Sequence, residues 1–184
     1  MKALAVVPPR ECWEAVQKIR GKYDKAASKW PPHLNIIFPF VSRGKFQDQM
    51  KKFKKYVEKI GSFKISLDNF QVLETKKGKA GKRFVVLTPE STEGLDKLAH
   101  AVKLVFPECA PSKRFHMTVA QLPSKDVQSI VKQWQKDWVE LSWSINSVSL
   151  LELKNGVYKI TSKMSLCPLE EKERDSKAAK SQKK

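Results

Sequence analysis

Two short segments carry side chains suited to proton transfer: His33-Leu34-Asn35 and His116-Met117-Thr118. Each lies in an apolar run with strand character, Leu34-Asn35-Ile36-Ile37-Phe38 and Phe115-His116-Met117-Thr118-Val119. Successive side chains of a strand face opposite ways, so residues i and i+2 share a face. The alternation predicts His33 and Asn35 on one face, with Leu34, Ile36 and Phe38 turned to a core. It predicts His116 and Thr118 opposite Phe115, Met117 and Val119. The chain has three histidines, and two of them share this arrangement of imidazole plus a small hydrogen-bonding partner. Free imidazole has a pKa of ~6.5, so both protonation states are accessible near neutrality. Two imidazoles facing one cleft can therefore serve as general base and general acid without a metal. The alternative is that each ring bonds only within its own half-buried strand. The third, His100, falls in a helical segment with no partner motif and reads as an ordinary helix residue.

The elements that must position these residues repeat. A strand from Ala3 to Val7 is ended by Pro8-Pro9, a helical pattern runs from Glu11 to about Lys22, and a loop with Trp30-Pro31-Pro32 leads to His33. A long helix comes next, from Phe46 to Ile60, with Phe46, Met50, Phe53, Val57 and Ile60 on one stripe. The second unit has the same order. Phe84 to Leu87 forms a strand and Thr92 to Val105 a helix with Leu95, Leu98, Val102 and Val105 inward. A Pro-containing loop from Phe106 to Ser112 then leads to His116, and a last helix runs from Lys125 to Trp138. Two units packed about an approximate two-fold axis would bring His33 and His116, which are equivalent positions, to one cleft. Phe63 to Leu73 is predicted to pair with Phe84–Leu87 across the Lys76–Arg83 loop. Leu141 to Leu153, Asn155-Gly156 and Val157 to Leu166 read as a β-hairpin with a two-residue turn.

Composition narrows the class of protein. The 184 residues carry a net charge of +17 with 41% hydrophobic content, and all but +2 of that charge precedes residue 170. A body so basic favours polyanionic partners, nucleic acid foremost; the bland alternative is solubility alone. No apolar run reaches the ~20 residues of a membrane span, and the N-terminal apolar stretch reads as a strand without a signal-peptide cleavage site. Cys12, Cys109 and Cys167 are too scattered for a zinc site. They suit thiols of a reducing compartment, so a cytoplasmic or nuclear monomer with no metal and no cofactor is expected. No GxGxxG, P-loop, nucleophile elbow or paired carboxylates suggest another chemistry. Residues 1–167 are expected to form the folded domain, and 168–184 a basic, disordered tail.

In its two His-x-Asn/Thr segments the sequence resembles the 2H phosphoesterase superfamily, which includes 2′-5′ RNA ligase-like proteins and cyclic nucleotide phosphodiesterases. His116-Met117-Thr118 fits the family's His-x-Thr/Ser motif. The first segment, Pro31-Pro32-His33-Leu34-Asn35, has Asn where most members have Thr or Ser. It is similar to a branch of the 2′-5′ RNA ligase-like proteins in which Pro-Pro-His-x-Asn is usual. The resemblance spans about residues 1–167 through the order of elements. It implies an α+β, bilobal fold, with two pseudo-symmetric lobes each built from an antiparallel sheet and flanking helices around a central cleft. It implies metal-independent action on a phosphodiester at a ribose 2′ or 3′ oxygen, in RNA or a small nucleotide, with His33 and His116 as the acid/base pair. Thr118 and Asn35 would hold phosphate oxygens; the Asn35 amide can donate as a hydroxyl does. Arg114 is either a further phosphate contact or an exposed strand-edge arginine. Trp30 either packs beside Pro31-Pro32 or stacks on a base. Lys51, Lys52, Lys54 and Lys55 are either a solvated helix face or an RNA-tracking surface; Lys76, Lys77, Lys79, Lys82 and Arg83 form a basic loop that either reaches nucleic acid or is a mobile hairpin tip. The rival classes are a non-catalytic RNA- or nucleotide-binding module with the same cleft, and a protein-interaction scaffold that senses nucleotide.

Overall fold

The computed structural model describes residues 1–40, 46–73, 82–123, 125 and 127–168. The element order is β1 (Lys2–Val6), a 3-10 turn (Arg10–Cys12), α1 (Trp13–Tyr23), β2 (Leu34–Phe40), α2 (Phe46–Val57), β3 (Phe63–Leu73), β4 (Lys82–Pro89), α3 (Glu93–Val105), β5 (Met117–Pro123), α4 (Val127–Asp137), β6 (Leu141–Ile145), β7 (Ser147–Lys154) and β8 (Val157–Ser165). The strands form two four-stranded antiparallel sheets, ordered β2-β1-β7-β8 and β5-β4-β3-β6. The edge and second strand of each sheet, β2-β1 and β5-β4, come from equivalent places in the two sequence units. The duplication is thus a real symmetry of the α+β fold.

The symmetry extends to an irregularity. On β1–β2, Leu4 pairs with Ile37 and Ala5 with Asn35, which leaves Ile36 as an extra residue. On β4–β5, Val85 pairs with Ala120 and Val86 with Thr118, which leaves Val119. Each bulge sits one residue after the partner of a histidine. An extra residue reverses the facing of the side chains that follow, up to the next irregularity, which on β1–β2 falls between Ile37 and Phe40. Leu34, Ile36 and Ile37 are all buried, while Phe38 is 41% exposed. The expected inward placement of Phe38 is therefore corrected by the bulge.

The helices are exchanged between the sheets. α1 leaves the first sheet through β1 and packs on β5 of the second; α3 leaves the second through β4 and packs on β2 of the first. The apolar stripes explain the exchange. Leu95, Leu98, Val102 and Val105 of α3 are buried, as are Val16 of α1 and Phe53 and Val57 of α2, in one cluster that includes core residues of both sheets. Each such side chain contributes about 1.5–3 kcal/mol on burial, so neither sheet keeps its stability apart from the other.

Three boundaries differ from expectation. Leu141–Leu153 is not one strand: β6 pairs with β3 and β7 with β1, so the chain changes sheet at Asn146, whose carbonyl accepts from Leu166 N (2.9 Å). The β7–β8 hairpin turns at Asn155 (φ 51°) and Gly156 (φ 79°), the two positive φ values of a type I′ turn. α4 begins at Val127 and α2 ends at Val57. Residues 169–184 and the lysines at 76, 77 and 79 lie outside the described residues; β4 opens with Lys82 and Arg83. Among the described residues no helix is long and apolar enough to cross a membrane, and the three cysteines carry no disulfide.

Candidate active site

Each histidine stands one residue before its strand, His33 ahead of β2 and His116 ahead of β5. Strand geometry has not begun there, so the ring orientation needs another cause. It is the same in both lobes. His33 Nδ1 lies 2.7 Å from the Pro31 carbonyl oxygen and His116 Nδ1 lies 3.0 Å from the Arg114 carbonyl oxygen, each two residues back. A carbonyl only accepts, so each Nδ1 carries the proton and donates. In both neutral rings Nε2 is then left with its lone pair, the atom that can take or return a proton.

The loop before His116 is tied to the other sheet. Ser112 N–H, four residues before His116, donates to the Ile36 carbonyl on β2 (2.8 Å). The rings are near enough that charge on His116 disfavours charge on His33. Burial foremost pushes the His33 pKa down to about 4. The Pro31 hydrogen bond opposes this, the positive charges of Arg20 and His116 add to it, and Asp24 opposes it weakly. Burial also lowers His116, against the hydrogen bond to Arg114. At neutral pH without ligand both rings are uncharged.

Asn35 and Thr118 are half-buried and hold equivalent registers, opposite Ala5 and Val86. Directly paired residues share a sheet face, and Ala5 belongs to a cluster with Ala3, Leu151, Tyr158 and Trp30, away from the main core. Asn35 Oδ1 is buried and has no hydrogen-bond partner among the described residues. A buried amide end costs free energy until something bonds to it. A half-turn of the amide would present NH₂ at the same place. The Arg114 side chain is exposed, and its carbonyl is the part seen to act, as the His116 acceptor.

Three neighbours of His33 carry more than their place in the sequence suggests. Trp30 stacks on His33 (centroids 4.7 Å, 18° apart) and on Tyr158 (3.4 Å, 15°). Two parallel rings cannot share one face at those distances, so Trp30 lies between them. It packs, then, but on the histidine as well as among its neighbours. Phe38 meets Trp30 edge-on at 5.2 Å and remains the exposed aromatic of that face. Beneath, Arg20 of α1 is 2% exposed and bonds Asp24 Oδ2 through Nε (3.0 Å) and Gln17 Oε1 and the Trp30 carbonyl through Nη1 (both 3.1 Å). Asp24 Oδ1 in turn accepts from Ala26 N (2.9 Å). The available signal was a charged pair at i, i+4 ending the buried stripe of α1. His100 is exposed on α3, away from both motifs. The lysines at 51, 52, 54 and 55 are exposed on α2, where Lys51 meets Asp48 (3.9 Å) and Lys54 meets Glu58 (3.6 Å). Among the described residues no three His, Cys, Asp or Glu side chains gather as a metal ligand set.

Two exchanged lobes with a histidine before each edge strand define a class, and residues 8–157 match the model of the 2′-5′ RNA ligase superfamily. The chain belongs to that superfamily. Its fold is that of LigT from E. coli, with a TM-score of 0.60 at 17% identity over 90% of this chain and 96% of the other. TT0787 of Thermus thermophilus superposes with a TM-score of 0.60 at 18% identity, covering 91% of this chain and 98% of the other. Usb1 of Kluyveromyces marxianus gives 0.56 at 12%, covering 90% and 97%. No curated protein is similar to the chain in sequence.

Proposed function

We propose that the protein is a metal-independent phosphodiesterase or RNA end-processing enzyme. Its substrate would be a 2′,3′-cyclic phosphate or a 2′-5′-linked RNA or nucleotide. The observation that carries this reading is the matched pair of Nδ1–H···O=C bonds, which aims an unencumbered Nε2 from each lobe. His33 stays neutral down to about pH 4 and is assigned the base. It takes a proton from the attacking water as that oxygen bonds to phosphorus. His116, in its protonated form, gives a proton to the departing ribose oxygen as the P–O bond breaks. The phosphate brings the negative charge that draws this proton onto His116. Thr118 and Asn35 donate to the non-bridging oxygens, where charge accumulates. LigT has been solved in complex with 3′-AMP, a nucleotide whose phosphate sits on a ribose 3′ oxygen, which supports a cleft of this chemistry.

The test is incubation with RNA ending in a 2′,3′-cyclic phosphate, and separately with 2′-5′-linked oligoadenylate, in EDTA. Turnover that vanishes in His33→Ala and in His116→Ala is the expected result. RNA binding without product, indifferent to either substitution, would make the chain a binding module. Turnover that needs an added metal ion would overturn the two-histidine reading.

A further inference from the structure

Behind Trp30, on the side away from His33, two depressions of about 420 and 220 Å³ share Arg10, Trp13 and Ile160 and so form one trough. It starts at Lys29, Trp30 and Tyr158, passes under Arg10 and Trp13, and ends among Pro8, Asn146, Ser147 and Lys163. Among the described residues no aspartate or glutamate lines it. Arg10, Lys29 and Lys163 are exposed, and none of the three is paired with a carboxylate among the described residues. This differs from α2, where two of four lysines face acidic neighbours. Lys163 pairs across the sheet with Ser149, the face opposite core residues Val148 and Leu150, and therefore points to the trough side. The Arg10 guanidinium is fixed 3.8 Å over the Trp13 ring, which is itself held by Trp13 Nε1 donating to the Pro8 carbonyl (2.9 Å). At the far end stands Trp143, 7% exposed, whose indole N–H has no partner among the described residues. A guanidinium held in place and two exposed lysines, none of them neutralised by a carboxylate among the described residues, suit a phosphate chain.

We propose that this trough binds the chain of a single-stranded RNA whose reacting end lies at the two histidines. The inference rests on the proposed function and narrows its substrate to oligonucleotides: Trp30 is the wall common to the reacting end and the strand behind it. A mononucleotide would fill only the histidine side.

The experiment reads binding and turnover separately. Anisotropy of a labelled single-stranded RNA of about ten nucleotides, with a plain 3′-hydroxyl end, is measured against salt concentration. It is measured for wild type, for R10Q/K29Q/K163Q and for K51Q/K52Q/K55Q, which loses the same charge from α2. Neutralising three phosphate contacts should weaken binding at least about tenfold at low salt and flatten the slope of log Kd on log salt by about 2. The α2 variant should match wild type. In turnover, a cyclic-phosphate oligonucleotide should show a KM at least about tenfold below that of the cyclic mononucleotide, and R10Q/K29Q/K163Q should collapse that ratio. Equal losses in both triple variants, no loss in the trough variant, or equal KM values for long and short substrates would overturn the proposal. If wild type binds RNA through the trough yet turns over neither substrate, the strand path stands and the two-histidine chemistry falls.

Discussion

The loop that delivers His33 and the loop that delivers His116 do the same job by different means. The first, residues 24–33, rests on a buried Arg20–Asp24 pair and an aromatic sandwich of His33, Trp30 and Tyr158. The second, residues 106–116, has an exposed Lys113 and Arg114 and is fastened by Ser112 to the opposite lobe. Both end in the same Nδ1–H bond to a carbonyl two residues back. Symmetry therefore sets which ring atom is free, while the surroundings set how readily it holds a proton. A duplicated fold can set two proton affinities apart in this way while keeping the same ring and the same hydrogen bond in each half.

The comparison is broken most directly at the rings. His33→Ala and His116→Ala should each lower kcat by about 10²–10⁴ with the far-UV circular dichroism unchanged; a large loss in only one lobe would end the idea of a shared reaction. In the proposed reaction the productive form has His33 neutral and His116 protonated. Since His33 loses its proton at about 4 and burial lowers His116 below the usual 6.5, the kcat/KM profile should reach its maximum on the acid side of 6.5 and fall as pH rises toward neutrality.

The next effect separates the two loops. Arg20→Met leaves Asp24 buried without its partner, and breaking such a pair costs about 3–5 kcal/mol. Chemical denaturation should show that loss. Arg114→Met, at an exposed position, should stay within about 0.5 kcal/mol. At the phosphate, Thr118→Val should reduce kcat by about 10²-fold, the usual loss of one well-placed donor. Asn35→Thr, which makes the first motif match the second, should change kcat/KM by at most about tenfold if both positions do one job.

The last effect is on stability against pH. The His33 pKa is depressed on folding, so between about 4 and 6.5 the unfolded chain binds more protons than the native one. Stability should thus rise with pH across that window, by on the order of 2 kcal/mol. His33→Gln should flatten the rise in urea titrations, while His116→Gln should leave most of it.

Local pattern carried much of this structure. The buried stripes of α2, α3 and α4, the Asn155-Gly156 turn and the order of the two units are all visible as periodicity or turn chemistry, because those signals depend on neighbours in sequence. Three things are not of that kind. The bulges at Ile36 and Val119 depend on what the partner strand offers, so alternation alone points Phe38 inward although it faces out. The switch of sheets at Asn146 is marked only by the polar pair Asn146-Ser147, which shifts the alternation by one step, so β6 and β7 read as one strand. A stripe also says which side of a helix is buried but not against what, which hid the exchange of α1 and α3. At the site, imidazoles in matched segments were legible as chemistry; Arg20 and the Trp30 stack were not, since their significance arises only when the loop folds back on α1.

The exchange of helices bears on how the protein opens and comes apart. With α1 seated on the far sheet and α3 returning the gesture, neither half can rotate outward like a jaw unless the interior they hold in common is wetted. A substrate of the proposed reaction would meet a gap of nearly constant width. Melting should be a single transition for both halves, seen equally at Trp30 in one and Trp143 in the other, and a fragment ending at Leu73 should fail to fold.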